Sequence, residues 1–444
     1  MAAFDETRLF TAAFLGLLAA ACGSDGSPGS GNAGGAAGVA NGAGGSAGTA
    51  NTTGGAANGG ASSGGASTGG VPSSGGASTG GAASGGTPGS GGAANGGHDA
   101  GIVDGGDVDA SAPTNCAPPH SLDAPLPRLS QTGCMDPTDT KKLAPYVLPY
   151  EVNSPLWSDS ADKSRGMRLP DGGKIHVKKC TGKSTECLDA ADDGKWVLPV
   201  GTVMVKNFLF DGKLVETRLF EHFDAATWVG YTYQWDEAQT DATIVPDEQR
   251  EVMFDTGTRK VDWHYPSRLD CLQCHNPAGG YTLGPETAQM NRTVNGKNQI
   301  DVWAAMGLFE TKPATPYAAA LVLPYAGQLG TPPANATAEA RARSYLHANC
   351  AFCHRPDGDF SVIDTRAGVA FKNMGLCNAT PTKGDVGVNG ALDVVPGKPA
   401  QSVLWLRMDA LPNLGRMPKL ASYQIDDQGV KVVGDWITAL PPCP

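Results

Sequence analysis

Histidine is scarce in this chain, at 8 of 444 residues, and Lys plus Arg (33) fall short of Asp plus Glu (44). The formal charge of −11 argues against nucleic acid and against anionic lipid surfaces as partners. Past the first two dozen residues, no run is apolar enough to cross a membrane. Aromatic residues are absent from Gly23 to about Gly106, a stretch of Gly, Ala, Ser, Asn and Thr with echoes such as Ser63-Gly64-Gly65-Ala66-Ser67-Thr68-Gly69-Gly70. Such a segment cannot bury enough apolar surface to offset the entropy of ordering. It predicts a disordered tether over residues 23–115, with a root-mean-square span of about 50 Å. No stretch has the order of a catalytic triad, and the Gly-rich turns lack phosphate-loop spacing.

What the chain does contain is one pattern, twice. Cys271-Leu272-Gln273-Cys274-His275 and Cys350-Ala351-Phe352-Cys353-His354 both read Cys-x-x-Cys-His, the spacing for covalent attachment of a c-type haem. The two thiols add to the haem vinyl groups and the adjacent histidine ligates the iron. With so few histidines, two such copies are hard to obtain by chance. The expectation is two covalent haem c groups, held by Cys271, Cys274, Cys350 and Cys353, with His275 and His354 on the irons.

The chain start agrees with an exported protein. Arg8 is followed by an apolar run from Leu9 to Ala21 and then by Cys22 and Gly23. Ala19-Ala20-Ala21-Cys22 resembles a bacterial lipobox with Ala in place of the usual Leu. That resemblance implies a signal over residues 1–22, a lipidated Cys22, and a cell-envelope location on the periplasmic face or at the outer membrane. The alternative is an ordinary cleaved signal with an incidental cysteine. Of the 11 cysteines, Cys22 and the four motif residues leave six. An even remainder in an exported protein suggests three disulfides. Local loops would pair Cys116 with Cys134 and Cys180 with Cys187, leaving Cys377 for Cys443, although spacing alone leaves the connectivity open.

Residues 116–263 read as β-rich. Trp196 to Phe208, Leu214 to Phe220 and Trp228 to Trp235 carry β-branched and aromatic residues, with a turn at Asp211-Gly212. Short turns between consecutive strands favour an antiparallel sandwich or barrel. A first haem region over 264–334 and a mostly α-helical cytochrome c domain over 335–444 would follow, an α+β chain overall. Val430, Val433, Trp436 and Ile437 form an apolar stripe on a final helix.

Several stretches together carry a family resemblance. Tyr150-Glu151-Val152-Asn153-Ser154-Pro155-Leu156-Trp157-Ser158-Asp159, Lys163-Ser164-Arg165, Pro199-Val200-Gly201-Thr202 with Lys206, and Glu216-Thr217-Arg218 resemble an uncharacterised family of exported bacterial dihaem cytochromes. Tyr231-Thr232-Tyr233-Gln234-Trp235, Trp263-His264-Tyr265-Pro266-Ser267-Arg268 and Tyr345-Leu346-His347-Ala348-Asn349-Cys350 fit it too. The resemblance covers about Leu143 to the C-terminus. It implies a β-rich front half with two haem c sites behind it, and no settled activity.

The distal iron ligands are less legible. Gly415-Arg416-Met417-Pro418 resembles the Met-Pro loop that delivers the distal ligand in small cytochromes c, which nominates Met417 opposite His354, with Met408 as the fallback. His347 reads as a helix residue near the haem edge. For the first haem, Met290, Met306 and His264 are all candidates, as is an open position. Asp159, Lys163, Arg165 and the Glu216/Arg218 pair read either as a polar binding site on the sheet or as loop-fixing ion pairs.

The composite expectation is an electron-transfer protein serving a redox donor and acceptor, one of which could be a dehydrogenase. One rival is a haem oxidoreductase such as a dihaem peroxidase with an open first site. Another makes the β-rich half a binding module for a dehydrogenase or a cell-wall polymer. A third is a zinc protein whose four motif cysteines ligate the metal.

Overall fold

The computed structural model describes residues 115–116, 125–180, 187, 189–248, 250–327, 329–360, 362–410, 415–420 and 422–443. The signal segment, Cys22 and nearly all of the Gly-rich stretch lie outside the described residues. The described residues, from Asn115 onward, belong to one compact unit. No described helix is long and apolar enough to cross a membrane.

The centre is one six-stranded antiparallel sheet: β1 (Leu148–Pro149), β2 (Asp162–Arg168), β3 (Val203–Phe210), β4 (Lys213–His222), β5 (Trp228–Trp235) and β6 (Ala242–Ile244). Every strand pairs with its neighbour in sequence, so the sheet is a meander. Asp211 and Gly212, both at positive φ (51° and 79°), make the tight β3–β4 turn, where the backbone needs residues that tolerate that region. Both faces of the sheet are covered. Val203, Val205, Leu219 and Tyr231 point into a core with Leu129, Cys134 and Met135, while Met167, Phe220 and Trp228 point into another with Trp196, Trp303 and Ile300. A hairpin of β7 (Arg250–Asp255) and β8 (Lys260–Tyr265) packs Trp263 and Tyr265 against Phe208 and Phe210.

Helices follow: α1 (Arg268–Cys274), α2 (Thr287–Met290), α3 (Gln299–Ala305), α4 (Ala338–Cys350), α5 (Val403–Met408) and α6 (Asp427–Ala439). Helices α4 and α6 pack through Tyr345, Leu346, Val430, Val433 and Ile437. Gly429 is required there, because a Cβ on it would sit 2.4 Å from the Tyr345 ring.

The structure corrects the expected fold class. Strand makes up 25% and helix 21% of the described residues, and the helices are mostly short, so the second half is not a mostly α-helical cytochrome c domain. Nor does the six-stranded sheet close on itself among the described residues, where the other sheets, the β7–β8 hairpin among them, have two strands each. The physical reason lies between α4 and α6. Gly384, Gly387 and Gly390 all adopt positive φ, and Pro396 and Pro399 follow, so that stretch is spent in turns that helical hydrogen bonding cannot continue through.

The other described cysteines are bridged as Cys116–Cys134, Cys180–Cys187 and Cys377–Cys443, leaving Cys271, Cys274, Cys350 and Cys353 as free thiols.

Candidate functional site

Strand β8 hands the chain directly to the first motif. Pro266 ends the strand, and Ser267 caps α1 in a reciprocal box: Ser267 Oγ accepts from the Asp270 N–H at 3.2 Å, and Asp270 Oδ2 accepts from the Ser267 N–H at 3.0 Å. The short helix that results puts Cys271 and Cys274 three residues apart, on one face. Strand β5 passes so close that a Cβ on Gly230 would lie 2.9 Å from Cys271 Sγ. His275 caps the helix, and its Nδ1 sits 2.6 Å from the Tyr281 carbonyl. A carbonyl only accepts, so Nδ1 carries the proton and Nε2 is left with a lone pair, the tautomer a metal requires. Burial holds this imidazole neutral, with its pKa lowered to about 3.

Cys271, Cys274 and His275 face an open cleft of about 1280 Å³, whose wall includes His264, Arg165, Lys206 and Arg218. Arg218 is held by Glu216 through two hydrogen bonds at 2.5 and 2.9 Å, and Glu216 also accepts from Trp263 Nε1 at 2.8 Å. Arg165 is 7% exposed, yet no carboxylate of the described residues lies within ion-pair distance of it or of Lys206. Lys206 Nζ stands 5.1 Å over the Phe208 ring, and burial, then Arg165 beside it, depress the ammonium pKa well below its usual value. A buried guanidinium such as Arg165 without a carboxylate partner is costly, and with Lys206 beside it as a hydrogen-bond donor it suits an anionic ligand group. Asp159 and Lys163 do a different job. Asp159 Oδ1 accepts from the Tyr423 and Gln424 N–H groups, both at 2.8 Å, and Lys163 Nζ donates to the Ala161 carbonyl at 2.8 Å.

The second motif grows from the end of α4, capped at its start by Thr337. His354 stacks on Phe360 at 5.4 Å, and its buried Nδ1 has no hydrogen-bond partner among the described residues. The histidine lines an apolar cleft of about 850 Å³ with Cys350, Tyr345, Leu376, Met408 and Met417. The structure therefore brings His354 and Met417 to one cavity, and Met408 shares it. Met417 is fixed by its N–H to the Arg407 carbonyl at 3.0 Å. His347 is occupied elsewhere. Its Nδ1 accepts from the Ala367 N–H at 3.1 Å, so Nε2 donates to Glu286 at 2.7 Å, and neither nitrogen is left for a metal. A third cleft of about 1120 Å³ beside both motifs contains that histidine and no cysteine.

The motifs touch. Asn276 Nδ2 donates to the Phe352 carbonyl at 3.1 Å, and Cys353 Sγ lies 3.7 Å from the Gln273 carbonyl. Pro418 lines both clefts. An ion network fastens the second motif to the front half: Arg355 donates to Asp192 at 2.5 Å, while the fully buried Arg366 pairs with Asp189, Asp192 and Asp364.

The residues meet the demands of two covalently attached haems. Four thiols remain unbridged in the positions the chemistry uses, and burial pushes Cys350 and Cys274 up to about 12, and Cys271 and Cys353 up to about 11, so all are neutral. Cys271 and Cys274 share a cleft with His275, and Cys350 shares one with His354; both histidines have ring nitrogen to spare. A zinc site finds less support, since no group of three or more His, Cys, Asp or Glu among the described residues is arranged to hold a metal ion. Tyr281, Asn276 and Gly230 shape the first site without any motif to flag them. Comparison of the chain with family models, curated proteins and solved structures returned no match.

Proposed function

We propose that the chain is an electron-transfer protein carrying two haem c groups, tethered outside the cytoplasm through Cys22 and passing electrons between a protein donor and acceptor. The observation that carries this reading is the contact of two Cys-x-x-Cys-His motifs, each opening on its own cleft. Cys271 and Cys274 would hold one group and Cys350 and Cys353 the other, with His275 and His354 on the irons. Haem c supplies one-electron Fe(III)/Fe(II) chemistry when bound.

The chain's own contribution is orientation and environment. Tyr281 fixes the His275 ring and raises its basicity as a ligand. Leu376, Val403 and Tyr345 give the second cleft an apolar wall. Met417 lines the cleft of His354 and would supply a thioether to the second group, which would favour Fe(II) and leave less room for exogenous ligands. Arg165 and Lys206 would meet the carboxylates of the first group. The hydrogen bond between Asn276 and Phe352 sets the two sites side by side, which favours transfer from one to the other.

The test is attachment, site by site. In the exported full chain, Cys271→Ser with Cys274→Ser should remove one covalent haem and leave the other, and Cys350→Ser with Cys353→Ser should do the reverse. Full haem content in either double variant overturns the assignment.

A further inference from the structure

We infer that His264 is the second axial ligand at the first site, which makes that site bis-histidine while the second is His/Met. The inference rests on the reading of Cys271 and Cys274 as haem attachment points and adds to it the residue opposite His275.

His264 lies on β8, 5% exposed, and lines the same cleft as His275. Its tautomer can be derived. Tyr423 has one hydroxyl proton and donates it to Glu251 Oε1 at 2.7 Å. The same hydroxyl is 3.2 Å from His264 Nδ1, so there the tyrosine oxygen accepts and Nδ1 carries the proton. The lone pair is thereby confined to Nε2. That atom is buried and has no hydrogen-bond partner among the described residues. Asp270 Oδ2 lies 4.0 Å from it, outside hydrogen-bond reach, and already accepts from Ser267. A carboxylate could not satisfy a lone pair in any case.

Two histidines therefore share one cleft, each with Nδ1–H tied to an oxygen acceptor and Nε2 bare. This is the outer-shell arrangement that presents imidazole to a metal, made twice. A buried acceptor left unsatisfied costs about 1–3 kcal/mol, and coordination relieves it. The methionines fare worse. Met290 is 0% exposed within the core around Ile300 and Trp303, and Met306 is 52% exposed at the end of α3. Neither lines the cleft. Met204 does, although its side chain packs toward that same core. Because a thioether raises the potential relative to a second imidazole, the first site would be the lower-potential one, and electrons would run from it to the second.

The experiment uses the purified full chain, with intact mass first. Fewer than two covalent haems means that the attachment reading itself has failed. With two attached, wild type should be low-spin at both haems, closed to carbon monoxide when reduced, and should show the sulfur-to-iron band of a single haem. His264→Ala should turn one haem of the two high-spin and open it to carbon monoxide, and added imidazole should restore the low-spin form. His264→Met should stay low-spin and gain a second sulfur band. Two haems with spectra unchanged in His264→Ala overturn the inference and leave the attachment reading standing. Should the alanine variant fail to accumulate, wild type decides: sulfur bands from both haems, or carbon monoxide binding at one, overturn the inference, and a single sulfur band with both irons closed supports it.

Discussion

Asn276, the residue after the first Cys-x-x-Cys-His motif, donates a hydrogen bond of 3.1 Å to the carbonyl of Phe352, a residue inside the second. Two sites about 80 positions apart in sequence are thus held as one unit, and the electron-transfer proposal turns on that join.

Met417→Ala should abolish the sulfur-to-iron charge-transfer band of the oxidised protein, with the other haem unaffected. Near-infrared absorption reads it. A band that survives would move the ligand to Met408, which lines the same cleft.

Asp192→Asn should destabilise the fold by about 3–5 kcal/mol, because it leaves Arg355 and Arg366 short of a buried partner. Burial raises the Asp192 pKa, but Lys195, Arg355 and Arg366 together outweigh it and the net shift is downward. A carboxylate with a depressed folded-state pKa stabilises above its unfolded value of about 3.9 and loses that contribution as pH falls. Denaturation at pH 7 and pH 3 should therefore show wild type losing more stability on acidification than the variant does.

Glu221 has the opposite sign. Burial raises its pKa to about 7, with a hydrogen bond from Tyr231 opposing the rise. Its folded form holds a proton that the unfolded chain releases above about pH 4.3, so stability falls as pH climbs from there to about 7 and is level beyond. Glu221→Gln should be about 1–2 kcal/mol more stable than wild type at pH 8, after allowance for screening, and equal to it near pH 4. Parallel urea titrations at the two pH values check this.

Arg165→Gln should lower the midpoint potential of the first haem by an amount on the order of tens of millivolts, since a nearby cation favours Fe(II). The second haem should not shift. Potentiometric titration followed at both sites measures it, and equal shifts at both would argue for a general loosening.

Much of this was written in the chain, and the rest was hidden for definite reasons. The strands at Leu214–Phe220 and Trp228–Trp235 show in their β-branched and aromatic residues, but the run read from Trp196 breaks at Pro199-Val200-Gly201, and only Val203–Phe210 joins the sheet. The helical stripe of Val430, Val433, Trp436 and Ile437 is visible because α6 buries one face against α4. Helix content falls short of the expectation because the cytochrome-like signals at the two ends of 335–444 flank a middle rich in turn-forming glycine and proline. The cysteine–histidine spacing is local, so both motifs could be read. Nothing local says that Phe352 meets Asn276, that Tyr423 orients His264, or that Arg165 lines the cleft that holds Cys271, since those partners come from distant segments that only the fold brings together.

The most direct measurement is the number of covalent haems on the purified mature protein, by pyridine haemochrome with intact mass. Two per chain is the expected result. One would remove the paired-site relay and leave one motif without its proposed role, and none would contradict the haem assignment altogether.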